Sequence, residues 1–552
     1  MSPNIKKYLF IIAFCFIFLT ALLVRLYDLS SIPLGFHIDE ASLGYNGYSL
    51  LLTGKDENNN KWPLYIDMFG DNRPSGYHYL TIIPIKFLGL TEFATRLPGA
   101  LFGALTVIPF FFLSQILFKR KKISLIAAFF LSISPWSVVL SRASAETVVA
   151  LFLIITGYAI VIAGFQKRNA FYFCVGAFIL TLSFFFYHTP RVFVPLLFLC
   201  FLVYLYPLWK KFATKTKSLL IISFIILSFV SFALVFLIKG GTGRFSQVNI
   251  FQFPGVRLVL EEQIREDGVM HIPVLITRLE HNKITNYSLG IASNYFEYFS
   301  GQFLFTQGGL PIWYKVPAMG LIYLVELPFI LLGIFYLFSS KNIYHKLPLI
   351  WILVAPITAA FTIDDIPNIQ RVIIMFPIID LIAAYGFVKF IEKYSEIKYK
   401  FIFSVFTILL IYNFSYFLQQ YFIQSQVHQN WYRQEGFSQM MQVVNKDYAS
   451  IDKIIVSKSV VSYPLVLFYM KYNPATYQAE GSPKDKADGG FGKFFFALPA
   501  CPSIDRDPKF PKVKNAIYID SGTCPDYKFL NYLKHSYIYR KDGTKAFRIV
   551  YE

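Results

Sequence analysis

The chain has 552 residues, 55% of them hydrophobic and only 15% charged, with a mean hydropathy of +0.49. Soluble domains carry about 25% charged residues, so an ordinary water-soluble enzyme is excluded, and 60 Phe with 37 Tyr exclude a disordered chain. The net charge of +19 would suit nucleic acid only if it were gathered on one surface, and it is not.

Eleven apolar runs follow one another along the chain: 8–26, 97–118, 123–140, 147–165, 170–187, 192–208, 219–238, 316–338, 347–361, 372–388 and 401–417. Each is long enough, or nearly so, to cross a hydrocarbon core that takes about 20 helical residues. The run 80–90 is too short to cross and reads as an interfacial or re-entrant helix. Eighteen Lys and Arg, the run Lys119–Lys122 among them, fall on one side against Glu392 and Glu396, whereas the short loops opposite hold single arginines, Arg142, Arg191 and Arg371. The positive-inside rule therefore predicts a cytoplasmic N-terminus and an extracytoplasmic C-terminus. The first run leads into Arg25 and Asp28 without a small-residue cleavage pattern, which predicts a retained anchor.

These runs predict a membrane domain over 1–420, with long outer loops at 27–96 and 239–315. The remainder, 421–552, predicts a small α/β extracytoplasmic domain: strands at 451–457 and 516–519, helices at 436–446 and 461–471, and a hairpin over 536–551 turning at Asp542-Gly543. Of the five cysteines, Cys501 and Cys524 lie in this domain as a candidate disulfide; Cys15, Cys174 and Cys200 lie in spans as packing residues.

The most informative stretch follows the first span. Asp39 and Glu40 stand about a dozen residues past the membrane exit, and Asp39 is also placed to cap a helix over 41–52. Three elements follow one another: Asp39-Glu40, then Asn72-Arg73-Pro74-Ser75-Gly76-Tyr77, then Arg96-Leu97-Pro98 at the start of the second span. This pattern resembles the first outer loop of the GT-C glycosyltransferases, in particular glycosyltransferase family 39 with the protein O-mannosyltransferases and the lipid A aminoarabinose transferases. Ser75-Gly76 departs from the family's second proline and its apolar neighbour.

The resemblance implies a GT-C fold of about eleven spans in a bacterial plasma membrane. It also implies transfer of mannose or a related sugar, with inversion, from a polyprenyl-phosphate donor to a hydroxyl of a protein, lipid or envelope glycan on the outer face. It makes Asp39 the general base, with Glu40 beside it orienting the site. Arg73, Arg371, Arg191 and Arg142 become contacts for the donor phosphate, to which planar guanidinium groups are suited. Glu146, His188 and Tyr77 are supporting residues, and Asp39, Glu146 and Asp364, with Asp365, are a candidate oxygen-ligand set for a divalent cation.

Glu326 and Asp380 fall inside runs and read as structural, hydrogen-bonded interhelical groups. A secondary transporter or flippase would explain them, but it requires an inverted repeat and midplane binding residues, and the polar residues concentrate outside instead. A scaffold built around the tail leaves the Asp39–Arg96 pattern without a reason.

Overall fold

The structure, a computed structural model, describes residues 3–552 apart from 69, 239, 253, 394–395, 429, 485–488, 506–512, 528–529 and 531–532. The side chains of Lys6, Glu396, Lys398 and Lys400, used above for orientation, lie outside the described residues.

Helix α1 (Pro3–Leu26) is the first span. The first outer loop follows with α2 (Ile38–Thr53), an antiparallel pair β1 (Tyr65–Met68) and β2 (Asp71–Pro74), and α3 (Gly76–Leu88). Helix α3 covers most of the short run 80–90, and Ile83, Phe87 and Leu88 stand exposed along it. Then come α4 (Glu92–Leu105), α5 (Val107–Phe118), α6 (Lys121–Ile133), α7 (Pro135–Arg142) and α8 (Glu146–Lys167).

Every predicted run is helical over at least part of its length, but the runs are not equivalent spans. Among the described residues six helices are long and apolar enough to cross a membrane, or seven when α6 and α7, bent by 51°, count as one. Pro135 explains the bend, because it opens α7 without an N–H to continue α6. Ala170–Phe185, Pro190–Tyr204 and Leu324–Ser339 are apolar but shorter. The run predicted at 316–338 turns helical only at Leu324, so Glu326 sits in the first turn rather than inside a helix. Glu326 and Asp380 are fully buried, and Asp380 accepts from Trp136 Nε1 at 3.3 Å.

Buried arginines bind the membrane helices to one another. Arg25, at the end of α1, donates to the Leu131 and Ser132 carbonyls at the end of α6. Arg142, at the end of α7, donates to the carbonyls of Val24, Arg25, Tyr27 and Ile32. Helix C-termini leave carbonyls without intrahelical partners, and cations there also meet a favourable dipole.

The tail carries a six-stranded sheet in the order β4 (Gly490–Phe491), β5 (Phe494–Ala497), β3 (Lys453–Ser457), β6 (Ala516–Ser521), β8 (Lys545–Tyr551), β7 (His535–Tyr539). Strand β3 runs parallel to β5 and β6, and β7–β8 is the predicted hairpin. Cys501 and Cys524 are joined by a disulfide. The hydrophobic core of this domain is shared: Phe36, Ala41, Tyr45, Ile85 and Ala94 of the first-loop region pack with Met440, Leu465, Phe468 and Ile549 of the tail.

Candidate active site

Helix α2 begins three residues earlier than the sequence pattern suggests, and its cap is His37 rather than Asp39. His37 Nδ1 accepts from the Asp39 N–H at 3.2 Å, and Glu40 accepts from the His37 N–H at 3.2 Å, closing a capping box. Burial, against the opposing pull of Asp39, lowers the His37 pKa, which keeps the imidazole neutral as an acceptor. Since His37 takes the capping role, the Asp39 carboxylate points elsewhere.

It points at Arg73. Arg73 on β2 lies 3.2 Å from Asp39, 3.1 Å from Asp71 and 3.5 Å from Glu146 at the start of α8. Asp71 and Arg73 share a face of β2 because they are two residues apart on a strand. Burial alone would lower the Arg73 pKa, but the three carboxylates outweigh it and raise the pKa well above its usual value. The guanidinium is thus a permanent cation among three carboxyl groups, of which burial raises the pKa of Glu146.

Glu40 faces the opposite way. It is buried between Arg96 Nε at 2.9 Å and Arg433 Nη2 at 2.5 Å, and it also accepts from Ser144 Oγ at 3.2 Å. Burial would raise its pKa, but the two arginines together hold it below the ordinary carboxylate range. With both oxygens engaged, Glu40 is a fixed anion tying α2 to α4 and to the tail.

Asp39, Arg73 and Glu146 line a cavity of about 860 Å³. His188, Arg191, Asp364 and Arg371 line it too, as does the unpredicted Trp313, which stacks on His37 at 4.2 Å. Arg191 donates to the Phe184 carbonyl, contacts His188 Nδ1 at 3.2 Å and lies over the Tyr65 ring. His188 Nε2 is 3.0 Å from the Asn72 carbonyl oxygen. Arg371 donates to Thr362 Oγ1 at 2.7 Å and pairs with Asp364 at 3.3 Å. The other wall of the cavity is apolar: Val192, Leu196 and Leu199 of helix Pro190–Tyr204 face Phe224, Phe232 and Phe236 of the span Thr214–Leu237. Phe232 and Phe236 are exposed, so this wall lies open at the lipid-facing surface.

Besides Glu40, two predicted residues are elsewhere. Arg142 does not line this cavity; it is fully buried on the carbonyls that end α1, which corrects its assignment to the donor phosphate. Tyr77 is buried between α3 and α4, its hydroxyl donating to the Thr95 carbonyl and accepting from the Gly99 N–H. The departure at Ser75-Gly76 has a packing reason, because a Cβ on Gly76 would stand 2.4 Å from the Phe185 carbonyl oxygen. The close approach puts the start of α3 against the turn that presents His188 and Arg191.

The candidate cation set does not converge. Arg73 occupies the space between Asp39 and Glu146, while Asp364 is paired with Arg371. Among the described residues no three His, Cys, Asp or Glu side chains are grouped to hold a metal.

Residues 72–236 match the family model described as dolichyl-phosphate-mannose-protein mannosyltransferase. That stretch includes Arg73, Glu146, His188 and Arg191 and leaves out Asp39 and Arg371. No curated protein matches the chain. Among solved structures, ArnT from Cupriavidus metallidurans bound to undecaprenyl phosphate aligns at 11% identity with a TM-score of 0.55, covering 100% of this chain and 98% of that one. The apo oligosaccharyltransferase of Archaeoglobus fulgidus aligns at 13% identity with a TM-score of 0.53, covering 85% of this chain. AglB of the same organism, in complex with an inhibitory peptide and a dolichol-phosphate, aligns at 12% and 0.52, covering 86%. This chain spans just under two thirds (64%) of the length of those archaeal proteins. By fold the chain is a polytopic helical membrane protein of the GT-C fold with a small sheet domain at its C-terminal end, and its residues 72–236 match the protein mannosyltransferase family model.

Proposed function

We propose that this chain is a membrane glycosyltransferase that moves a sugar from a polyprenyl phosphate to a hydroxyl on the outer face of the membrane. The observation that carries this reading is the two-part cavity. One end holds the Asp39 carboxylate with Arg73, Arg191 and Arg371, and the other is a lipid-facing apolar groove. A polyprenyl-phosphate sugar divides the same way, into an anionic head and an isoprenoid tail. The solved structures of ArnT bound to undecaprenyl phosphate and of AglB with dolichol-phosphate support the donor class. The family model's description supports mannose as the first sugar to try and a protein hydroxyl as the first acceptor.

In the reaction, the acceptor oxygen attacks the anomeric carbon opposite the phosphate, so configuration inverts. The hydroxyl proton passes to Asp39, and the C–O bond to phosphate breaks with its electrons going to the phosphate oxygen. A base within about 2.6–3.2 Å of the hydroxyl serves this step. Growing charge on the phosphate needs fixed cations in a water-poor site, and arginine supplies them without a metal. Activity is therefore expected to survive EDTA; loss on chelation with recovery on adding back a divalent cation would overturn that.

Arg371 is assigned to the donor phosphate. Charge-assisted hydrogen bonds contribute about 1.5–3 kcal/mol each, so Arg371→Ala is expected to raise the KM for donor by about 10- to 100-fold. An unchanged KM would remove Arg371 from the phosphate site. The function itself is tested with purified protein and a panel of radiolabelled polyprenyl-phosphate sugars, reading label transferred from lipid to hydroxyl acceptors. Absence of transfer from every donor would defeat the reading.

A further inference from the structure

Residues 433–435 lie between the last membrane span, which ends at Gln426, and the sheet domain; Arg433 and Gln434 converge on the start of α2, while Glu435 reaches the sheet. Arg433 Nη2 donates to Glu40 at 2.5 Å, and Arg433 Nη1 donates to the Trp313 carbonyl at 3.2 Å. Gln434 Oε1 accepts from the Ile38 N–H at 3.1 Å, satisfying one of the four donors that open α2. Glu435 Oε1 accepts from the Lys541 N–H at 2.7 Å, in the turn of the β7–β8 hairpin. Gly35 makes the approach possible: at φ +78° it lies so close that a Cβ would stand 2.3 Å from the Arg433 carbonyl oxygen. The residue between these anchors is Asp39.

We propose that Arg433 is a positioning residue for Asp39, and that the segment 433–435 couples the extracytoplasmic domain to the catalytic end of α2. Arg433 does not line the main cavity, and its ion pair is with Glu40. It acts through Glu40, which in turn holds the His37 N–H, and through Trp313, which stacks on His37. Arg96 holds the other oxygen of Glu40 from α4. Glu40 is thereby gripped from the membrane domain on one side and from the tail on the other. Releasing the tail side frees the first turn of α2 to rotate or fray, and Asp39 moves with it. A displacement of about 1 Å at a reacting group costs on the order of 100-fold in rate.

This inference rests on the glycosyltransferase reading for its kinetic arm, so the test has a second arm that does not. The full chain in nanodiscs is prepared as wild type, Arg433→Gln, Arg433→Lys and Gln434→Ala. Amide hydrogen exchange of the peptide over 36–43 is expected to rise on the order of tenfold in Arg433→Gln, with β6 still protected, and to return most of the way in Arg433→Lys. Unchanged exchange at 36–43 in Arg433→Gln overturns the coupling whether or not any sugar is transferred.

With the donor that the panel identifies, Arg433→Gln is expected to lose about 100-fold in kcat while the KM for donor stays within about twofold. The lysine variant is expected to recover at least about tenfold of the lost kcat, because an ammonium restores the pair with Glu40. Wild-type kcat in Arg433→Gln, or a lysine variant no better than the glutamine one, overturns the positioning role. Should Arg433→Gln fail to fold, Gln434→Ala removes only the Ile38 bond and is expected to lower kcat by about three- to tenfold; no change there overturns the proposal as well. A wild type that exchanges as expected but transfers no sugar defeats the enzymatic reading and leaves the coupling standing.

Discussion

Replacing Asp39 by Asn is expected to lower kcat for sugar transfer by about 10²–10⁴-fold, the range that a positioned general base supplies. The change keeps the size of the side chain and its place at the cavity wall. It removes the only chemistry an amide cannot supply, acceptance of a proton from the incoming hydroxyl. The fold is expected to tolerate it, because Arg73 keeps Asp71 at 3.1 Å and Glu146 at 3.5 Å. The Arg73 and Asp39 side chains are each about a quarter exposed (24% and 22%), so their pair is screened and its loss costs about 1 kcal/mol or less. The KM for donor should change little. Single-turnover assays with saturating donor, alongside a thermal melt, separate the two effects. Full kcat in Asp39→Asn would remove Asp39 as the base.

Arg73→Met is expected to act more broadly. It removes the guanidinium that Asp39, Asp71 and Glu146 share. Like charges so placed repel, and an uncompensated buried charge is costly: breaking a fully buried pair typically costs about 3–5 kcal/mol. Partial exposure of Arg73 reduces this, so a loss of about 2 kcal/mol is expected. Melting temperature should fall by several degrees, and transfer should fall at least about 100-fold because the base loses its orientation and the phosphate loses a cation. Arg73→Lys should recover stability better than activity, since an ammonium supplies charge without the fork that reaches three carboxylates. A Met variant with wild-type melting temperature would show that the carboxylates do not depend on this guanidinium.

The order of these effects follows from burial. Arg73 is central but partly wet, whereas Glu40 is sealed between Arg96 and Arg433. The adjacent acids of the Asp39-Glu40 pair therefore divide the work: one faces the cavity, where a proton can be exchanged, and the other is locked in a permanent charged state. One helical residue step rotates a side chain by about 100°, which is enough to send neighbours to different environments.

Membrane class, the helical character of each apolar run and four of the tail's strands (β3, β6, β7 and β8, though not β4 and β5) were legible along the chain, because hydropathy and side-chain periodicity are local properties that need no partner to be expressed. The Asp39–Arg96 pattern was legible for the same reason, since its three elements lie within one loop. The roles of individual charges were not. Arg142 and Arg191 look alike as single arginines in short outer loops, yet one ends buried on the carbonyls of α1 and the other lines the cavity. His37 displaced Asp39 as the helix cap, and Glu326 fell in a first turn rather than inside a span. Arg433 reaches Glu40 across 393 residues of sequence, and no spacing rule joins them. A guanidinium or a carboxylate takes its role from whatever surrounds it at about 3–4 Å, and in a chain that crosses a membrane many times those surroundings come from remote segments that only the packing of the helices and the docking of the tail bring together.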